Sequence, residues 1–306
     1  MTDSPPFVNA HCHLELSGFS EPVRWNGSFP DWIAEVLRHR NQPDYSVETA
    51  VRRGEAELLQ TGTVAAADIV QTDLPAAIPA ANPRLTTRRF LELIAWTPEK
   101  AESRLARAEE FLQRNPSAGL SPHAPYTVCP ELLDGVVSLS RKYRVPVAMH
   151  LAETPDESEL LRHHCGPLLE MMRRADPHYN PKKTLSGGRP LDYLKQLSQA
   201  HRVLVIHGND LDEEEIGFLA SRRDNMSAVF CPVAHRYFGR KTYPLRQMSD
   251  AGVLVALGTD SRASWTGGML SMRETVRVLL EDYPEMTPEE VLPMATVHGL
   301  MAAGLV

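Results

Sequence analysis

Short apolar runs rich in β-branched residues alternate along the chain with longer segments whose apolar residues recur three and four positions apart. The first pattern is typical of buried strands and the second of amphipathic helices. Strands are predicted over residues 7–11, 63–70, 86–95, 119–123, 146–150, 203–207, 227–231 and 253–258. Helices are predicted between them, most clearly over 47–59, 98–112, 131–143 and 155–172. Eight such repeats favour an α/β fold of the (β/α)8 TIM-barrel type.

Two helix starts carry a complete capping signal. Thr154-Pro155-Asp156-Glu157 and Thr287-Pro288-Glu289-Glu290 both combine a threonine N-cap, a proline at the first position and a glutamate at the third, which predicts a capping box. The stretch 176–190 is rich in Pro and Gly, and it divides the fifth crossover into two predicted helical pieces. We interpret it as a loop insertion in a single domain that covers residues 1–306.

Charge and composition narrow the function. The 306 residues hold 32 Lys and Arg against 39 Asp and Glu, a net charge of −7, so the basic surface that nucleic-acid binding needs is not expected. No run of about 18 apolar residues predicts a membrane span, and the first residues lack the pattern of a signal peptide. The four cysteines have no CxxC spacing, which predicts small buried side chains without disulfides. We expect a cytoplasmic protein.

Polar residues gather where the predicted strands end, and a barrel assembles its active site at that edge. His11 and His13 close the first strand in Asn9-Ala10-His11-Cys12-His13, and residues two apart on a strand point to the same side. This pair alone is weak evidence. Other predicted strands end in His123, His150 and His207, and the eighth is followed by Asp260.

These residue types suit a metal centre. Neutral imidazoles and a carboxylate are ligands that Zn²⁺ or Fe²⁺ accepts, and a catalytic site keeps one position open for water. The residues His11, His13, His150 and Asp260 would satisfy that requirement.

At these positions the chain resembles the amidohydrolase superfamily, in its cytosine deaminase and chlorohydrolase branch. The resemblance lies in the segments Phe7-Val8-Asn9-Ala10-His11-Cys12-His13-Leu14-Glu15-Leu16-Ser17, Ser121-Pro122-His123-Ala124-Pro125-Tyr126-Thr127, His150-Leu151-Ala152-Glu153-Thr154, Ile206-His207-Gly208 and Gly258-Thr259-Asp260-Ser261. It implies His11, His13, His150 and Asp260 as metal ligands, Glu153 as proton shuttle, His207 as the group that orients the metal-bound hydroxide, and His123 as a substrate contact. No lysine ends the fourth strand, so one metal ion is implied, with zinc preferred and iron as the alternative.

The sequence departs from the family pattern at its ends. Family members usually flank the barrel with a small β-sandwich built from both termini, whereas His11 stands near the start of this sequence, which stops in the last predicted helix. We therefore expect a barrel without the flanking β-sandwich: either the member has only the barrel, or its ends lie outside this sequence. Homo-oligomerisation would be one way to cover an apolar flank.

Together these roles predict hydrolytic deamination of an amino-substituted heterocycle, with metal-bound hydroxide as the nucleophile and Asp260 as the group that takes the released proton. Glu153 would protonate the ring and then the leaving group, and His207 would hydrogen-bond the developing oxyanion. The segment 11–17 resembles family members that deaminate adenosine derivatives, including aminofutalosine, so an adenosine-type nucleoside is the first expectation.

Substrate contacts are less well defined. His235 follows the seventh strand, where it either contacts substrate or lies in a solvated loop. Cationic residues near the predicted site either bind a substrate anion or form solvated surface; they are Lys182, Lys183, Arg189, Arg236, Arg240, Lys241 and Arg262.

Two other functions remain open. A chlorohydrolase or a cyclic amide hydrolase would use the same metal site, and the leaving product separates these from a deaminase. A non-catalytic binding barrel is the alternative of another class, and it has no need for the acid/base carboxylate of Glu153. The expected partner is a small heterocyclic molecule, not nucleic acid or membrane.

Overall fold

The computed structural model describes residues 6–71 and 83–305, and all eight predicted strands are present in it. They are β1 (Phe7–Cys12), β2 (Thr63–Val70), β3 (Thr86–Leu93), β4 (Gly119–Pro122), β5 (Pro146–Leu151), β6 (Arg202–His207), β7 (Met226–Phe230) and β8 (Val255–Leu257). They form one sheet in chain order, with parallel pairing at β1/β2, β3/β4, β4/β5 and β5/β6. A parallel bridge joins Cys12 to Asp260 beyond β8. This topology confirms the (β/α)8 barrel, and within the described residues every strand belongs to it, so no β-sandwich strand is present there.

Helices connect the strands, and the described residues contain more of them than predicted. They are α1 (Phe29–Arg40), α2 (Val47–Gln60), α3 (Pro98–Arg114), α4 (Pro130–Tyr143), α5 (Pro155–His163), α6 (Pro167–Ala175), α7 (Pro181–Thr184), α8 (Pro190–Leu197), α9 (Glu213–Ser221), α10 (Pro232–Tyr237), α11 (Leu245–Asp250), α12 (Met272–Asp282), α13 (Pro288–Met294) and α14 (Val297–Ala303). The helices predicted over 47–59, 98–112 and 131–143 correspond to α2, α3 and α4 within two residues at each end.

The fifth crossover differs from its prediction. The single helix expected over 155–172 is wrong, because His164 takes a left-handed conformation that ends α5, and Pro167 begins α6. Two further helices, α7 and α8, follow before β6, so the crossover holds four helical pieces and not two. All four begin at a proline. The fixed φ of proline suits the first helical position, and proline has no backbone N–H to donate to a carbonyl of a preceding helical turn.

The two capping signals have different outcomes. At Thr287 the capping box is complete, since Glu290 N donates to the threonine hydroxyl and Thr287 N donates to the glutamate carboxylate. At Thr154 only one half forms: Glu157 N donates to Thr154 Oγ1, but the Glu157 carboxylate accepts from Ala152 N and Glu153 N. The capping box predicted at Thr154 is therefore wrong, because the Glu157 carboxylate binds residues that precede the N-cap.

The chain forms two compact units. The first comprises the described residues of 1–89, 229–242 and 255–306, with β1, β2 and β8; the second comprises 90–228 and 243–254, with β4, β5 and β6. In the first unit an apolar cluster under β1 includes Cys12, Leu14, Val51 and Leu58. Cys12 faces this cluster, as the alternation of side chains along a strand requires if His11 faces the other way.

In the second unit, residues 176–190 are fastened to the loops that follow β3 and β4. Trp96 Nε1 donates to Asp176 Oδ2 at 2.8 Å, Thr184 Oγ1 donates to the Trp96 carbonyl, and Tyr179 OH donates to the Tyr126 carbonyl at 2.9 Å. The predicted insertion is thus an ordered segment that contains α7.

Three of the four cysteines are buried and all four are free thiols, but Cys165 is exposed, contrary to the prediction that every cysteine is buried. Among the helices of the described residues, none combines the length and the apolar character that crossing a membrane requires.

Candidate active site

In the first unit the polar residues at the ends of β1 and β8 form a compact cluster. His11 Nε2 lies 3.5 Å from Asp260 Oδ1, and His13 Nε2 lies 3.8 Å from the same oxygen. The two imidazole rings meet edge to face, with centroids 4.8 Å apart. The other Asp260 oxygen accepts a hydrogen bond from Ser264 Oγ at 2.8 Å, which leaves Oδ1 facing the histidines.

The backbone around this cluster is held by groups that the sequence motifs contain. Asn9 Nδ2 donates to Thr259 Oγ1 at 2.8 Å, and Thr259 N donates to Asn9 Oδ1 at 3.1 Å, so β1 is tied to the segment after β8. The amides of Thr259 and Asp260 both donate to the His11 carbonyl. A Cβ at Gly258 would lie 2.8 Å from His11 O, so only glycine allows the two backbones to approach this closely.

This cluster fits a divalent metal ion. Each of the three residues offers one ligand atom, and these atoms all lie within 4.8 Å of one another. Two ligands bound to one tetrahedral zinc ion at 2.0–2.1 Å are about 3.3 Å apart, close to the 3.5 and 3.8 Å found here. Two imidazoles and a carboxylate are also the donor types that zinc takes in catalytic sites.

In the second unit a hydrogen bond defines the tautomer of His150. Its Nδ1 lies 3.0 Å from the carbonyl oxygen of His123, and a carbonyl only accepts, so Nδ1 carries the proton. In the neutral form of the ring, Nε2 is then the nitrogen that carries the lone pair. Histidines that bind a metal through one ring nitrogen usually donate a hydrogen bond from the other, and this bond fixes the tautomer of the ring.

His123 is neutral and half-buried beside His150. Its Nδ1 contacts Thr127 Oγ1 at 2.7 Å, and burial lowers its pKa to about 4. Glu92 on β3 completes a group of three possible ligands with His123 and His150, whose ligand atoms lie within 4.8 Å of one another. Sequence reasoning missed Glu92, although a carboxylate inside the apolar run Phe90-Leu91-Glu92-Leu93 is a usable signal.

Glu153 and His207 meet in the same unit. The distance between His207 Nε2 and Glu153 Oε1 is 3.4 Å, and the two side chains are 5% and 12% exposed. The His207 ring also stacks on that of His150, with centroids 5.6 Å apart. A carboxylate and an imidazole that are held together and shielded from water can pass a proton between them and a bound molecule.

The structure excludes one of the two alternatives predicted for His235. It lies in the short helix α10 and is buried, so the solvated-loop alternative is wrong. Its Nε2 contacts the Thr242 carbonyl at 3.2 Å, and burial lowers its pKa to about 4.

Three of the cationic residues are engaged within the protein. Arg236 pairs with Asp282 and Glu281, and Arg189 pairs with Asp212, Glu214 and Glu215. Arg262 is buried, and it binds both carboxylate oxygens of Glu57 together with the carbonyls of Phe19, Ser20 and Gly268. These contacts favour structural roles for the three side chains over capture of a substrate anion.

A (β/α)8 barrel with histidines and an aspartate at its strand ends has the architecture of a metal-dependent hydrolase. Residues 4–306 match the model of the amidohydrolase family, and the chain belongs to that family. The superfamily predicted from the sequence motifs is therefore confirmed.

The chain spans about 70% of the length of the curated relatives that it matches. The chain is 31% identical to the aminodeoxyfutalosine deaminase of Deinococcus radiodurans, over 97% of this chain and 72% of that protein. It is 28% identical to the 5-methylthioadenosine/S-adenosylhomocysteine deaminase of Pyrococcus furiosus, over 98% of this chain and 70% of that protein.

Solved structures share the fold. Helicobacter pylori aminofutalosine deaminase in complex with methylthio-coformycin superposes with a TM-score of 0.83 at 23% identity, over 98% of this chain and 74% of the other. An adenosine deaminase from Xanthomonas campestris with bound zinc superposes with a TM-score of 0.70 at 21% identity, over 98% and 67% of the two chains.

Proposed function

We propose that this protein is a metal-dependent deaminase that hydrolyses the exocyclic C–NH₂ bond of an adenosine-type nucleoside and releases ammonia. The observation that carries the proposal is the shielded pair of Glu153 and His207, 3.4 Å apart. A binding module needs no acid/base carboxylate of this kind. Membership of the amidohydrolase family supports hydrolysis of a C–N bond, and the deaminases among the relatives support an amino group as the leaving group.

We propose His11, His13, His150 and Asp260 as the ligands of one zinc ion. The spacing of the first-unit cluster and the proton on His150 Nδ1 support this ligand set. The fourth strand ends in Ser121-Pro122-His123, without a lysine that would favour a second ion. When bound, such an ion lowers the pKa of a water ligand toward neutrality and so supplies a nucleophile at neutral pH.

The protein's own side chains handle the protons. Asp260 accepts the first proton that the attacking water loses, and Glu153, which starts protonated, donates its proton to the ring nitrogen beside the attacked carbon. Glu153 then takes the second proton from the added oxygen and delivers it to the departing amine. Asp260 finally releases its proton and Glu153 takes one up, which restores both side chains. His207 donates a hydrogen bond to the oxygen that adds to this carbon, where a fixed donor is most effective. One water is consumed and one ammonia is released, so the reaction is balanced.

We propose His123 and His235 as substrate contacts. His123 is neutral and engages Thr127 through Nδ1, so Nε2 is the ring atom that would meet the substrate. For His235 the support is its burial beyond β7, although its Nε2 already contacts the Thr242 carbonyl.

The test is ammonia release from a panel of substrates by zinc-loaded and chelator-treated protein. The panel contains adenosine, 5-methylthioadenosine, S-adenosylhomocysteine, aminodeoxyfutalosine, guanine, cytosine and triazines, and chloride is measured with a chlorinated triazine. Metal-dependent ammonia release from one of the four adenosine compounds supports the proposal. Chloride release alone would identify a chlorohydrolase, and metal-loaded protein that binds ligand without turnover would identify a binding barrel; either result refutes it.

A variant pair sharpens the test. Glu153→Gln keeps the shape of the side chain but removes its acid/base function, so kcat falls about 10²- to 10⁴-fold while the zinc content stays that of the wild type. Glu159→Gln, in the helix α5 that follows Glu153, is the matched control, because Glu159 is exposed. Normal turnover by the Glu153 variant would exclude the assigned role.

We propose further that the protein is cytoplasmic and that zinc, not iron, is its native metal. The four free thiols support a reducing compartment. Metal analysis of protein purified without added metal tests the ion, light scattering tests a homo-oligomer, and fractionation of the cells tests the compartment.

A further inference from the structure

The turn after β5 carries Glu153 in an uncommon backbone conformation. Ala152 has a φ of 53°, in the left-handed region that non-glycine residues rarely adopt. Such a conformation persists only where the surroundings hold it. Its neighbours show what holds this one.

A buried carboxylate binds the turn from the side of helix α5. Glu157 is 1% exposed, and its Oε1 accepts a hydrogen bond from Ala152 N at 2.7 Å while its Oε2 accepts one from Glu153 N at 3.3 Å. Two successive backbone N–H groups around a left-handed residue form a concave site for an anion. Here both acceptor oxygens are supplied by the carboxyl group of Glu157, whose pKa is raised by burial to about 7 and lowered by these two hydrogen bonds.

The carbonyl groups of the same turn are bound from the segment after β6. Asn209 N donates to the Ala152 carbonyl and Asn209 Nδ2 donates to the Glu153 carbonyl, both at 2.9 Å. All four backbone polar groups of residues 152 and 153 therefore have partners. This segment follows His207, the last residue of β6, whose imidazole faces the Glu153 carboxylate.

Helix capping does not explain the position of the Glu157 side chain. In α9 the glutamate at the equivalent third position, Glu215, reaches back to the N-cap amide of Asp212 as a capping box requires. Glu290 does the same in α13. Glu157 bonds instead to the two residues that precede its own N-cap, one of which is Glu153.

We propose that Glu157 is a positioning residue for Glu153: its carboxylate holds the turn that aims the acid/base toward His207. This inference rests on the proposed function, because it assigns Glu157 to the same reaction. It predicts that weakening the two hydrogen bonds misplaces Glu153 without changing the metal ligands.

The experiment compares Glu157→Gln with Glu215→Gln in the metal-loaded protein of residues 1–306. A glutamine at 157 keeps one acceptor but places an NH₂ group against the second N–H of the turn. We expect kcat for ammonia release to fall about 10- to 100-fold, with KM within about threefold of wild type and zinc content unchanged. Glu157→Asp, which keeps both acceptor oxygens, restores part of kcat.

Glu215→Gln is the matched control. Glu215 is also a buried third-position glutamate, but it bonds to Arg189, Leu191 and Asp212, outside the candidate site. It should lower the melting temperature without lowering kcat by more than about twofold. A kcat equal to wild type in Glu157→Gln, or an equal loss of kcat in both variants, would overturn the inference.

Two further readouts separate this inference from the proposed function. In a Glu153→Gln background, Glu157→Gln should change kcat less than twofold, because it acts through a group that is already removed; a further tenfold loss would contradict that. Hydrogen exchange of the peptide 150–158 needs no turnover: exchange should rise in Glu157→Gln and not in Glu215→Gln. If wild type releases no ammonia the proposed function is wrong, whereas unchanged exchange shows that Glu157 does not hold the turn.

Discussion

A buried aspartate on β2 makes the stability of this protein depend on pH in a way that can be calculated. Asp68 is fully buried and accepts a hydrogen bond from Leu14 N at 2.9 Å, one residue after His13. Burial raises its pKa from 3.8 to about 8, against the Leu14 hydrogen bond, which lowers it. The perturbation is Asp68→Asn, which keeps the oxygen that Leu14 needs and removes the ionisable proton.

The sign follows from proton binding. Because the folded-state pKa of Asp68 lies above its unfolded value, the folded protein holds one more proton than the unfolded chain between about pH 5 and pH 7.5. The stability contributed by this group is complete below the unfolded pKa and is lost as the pH rises through the folded pKa. The loss is about 1.4 kcal/mol per pH unit in that window. Relative to wild type, Asp68→Asn should therefore gain about 3 kcal/mol between pH 5 and pH 7.5.

The assay is urea unfolding of wild type and Asp68→Asn at half-unit steps of pH. Both proteins are treated with chelator, because metal binding is itself pH-dependent. Other titrating groups contribute equally to both proteins, so the difference between the two curves isolates Asp68. Asp224→Asn, at an exposed aspartate, is the control and should run parallel to wild type. Parallel curves for Asp68→Asn as well would refute the reasoning, since they would mean that Asp68 ionises as readily in the folded protein as in the unfolded chain.

Further substitutions test the metal cluster, the strand alternation, the buried ion pair and the helix cap. Asp260→Asn should abolish turnover and lower the zinc content measured by atomic absorption, because it removes a proposed ligand charge; wild-type zinc content would exclude that role. Cys12→Ser should leave kcat and zinc content unchanged, since the thiol faces the apolar cluster under β1; loss of zinc would contradict the strand alternation. Arg262→Met should lower the free energy of unfolding by about 1.5–3 kcal/mol, because it removes the Arg262 hydrogen bonds to the buried Glu57 carboxylate, which keeps only those from Arg53 and Leu270 N; a loss below about 1 kcal/mol would show that the pair is dispensable. Thr287→Ala should cost about 1 kcal/mol in the same assay, through loss of the N-cap, and no loss would contradict the capping box.

The sheet could be predicted from sequence because each strand leaves a local signal. Buried parallel strands are continuous apolar runs, and their number and alternation with helices specify the barrel. The helical crossover between β5 and β6 was harder to predict. Apolar residues keep a helical spacing from Pro155 to Met172 across the break at His164, so periodicity alone joined two helices into one. The four prolines that begin the four pieces were the better guide.

The site was predictable only as far as residue type and strand end coincide. His11, His13 and Asp260 satisfy both criteria, and the structure brings them together. Glu92 and Glu157 do not: one stands inside an apolar strand, and the other has a capping pattern that explains it at the level of sequence. The proximity of Glu92 to His123 and His150, and the hydrogen bonds of Glu157 to the Glu153 turn, depend on tertiary packing, which no local pattern encodes.

The orientation of the candidate site side chains depends on backbone conformations at the strand ends, which the sequence does not reveal. Five described non-glycine residues have positive φ, and two of them, Arg144 and His164, simply end helices. The other three are Ala152, His207 and Asp260, which follow or end β5, β6 and β8. Each conformation of this kind costs about 1–3 kcal/mol and must be held by its surroundings. Each of these three residues is, or adjoins, one to which the motifs assign chemistry. Residue type therefore located the chemistry, whereas the backbone reversals that aim these side chains depend on hydrogen bonds from other segments, such as those from Glu157 and Asn209.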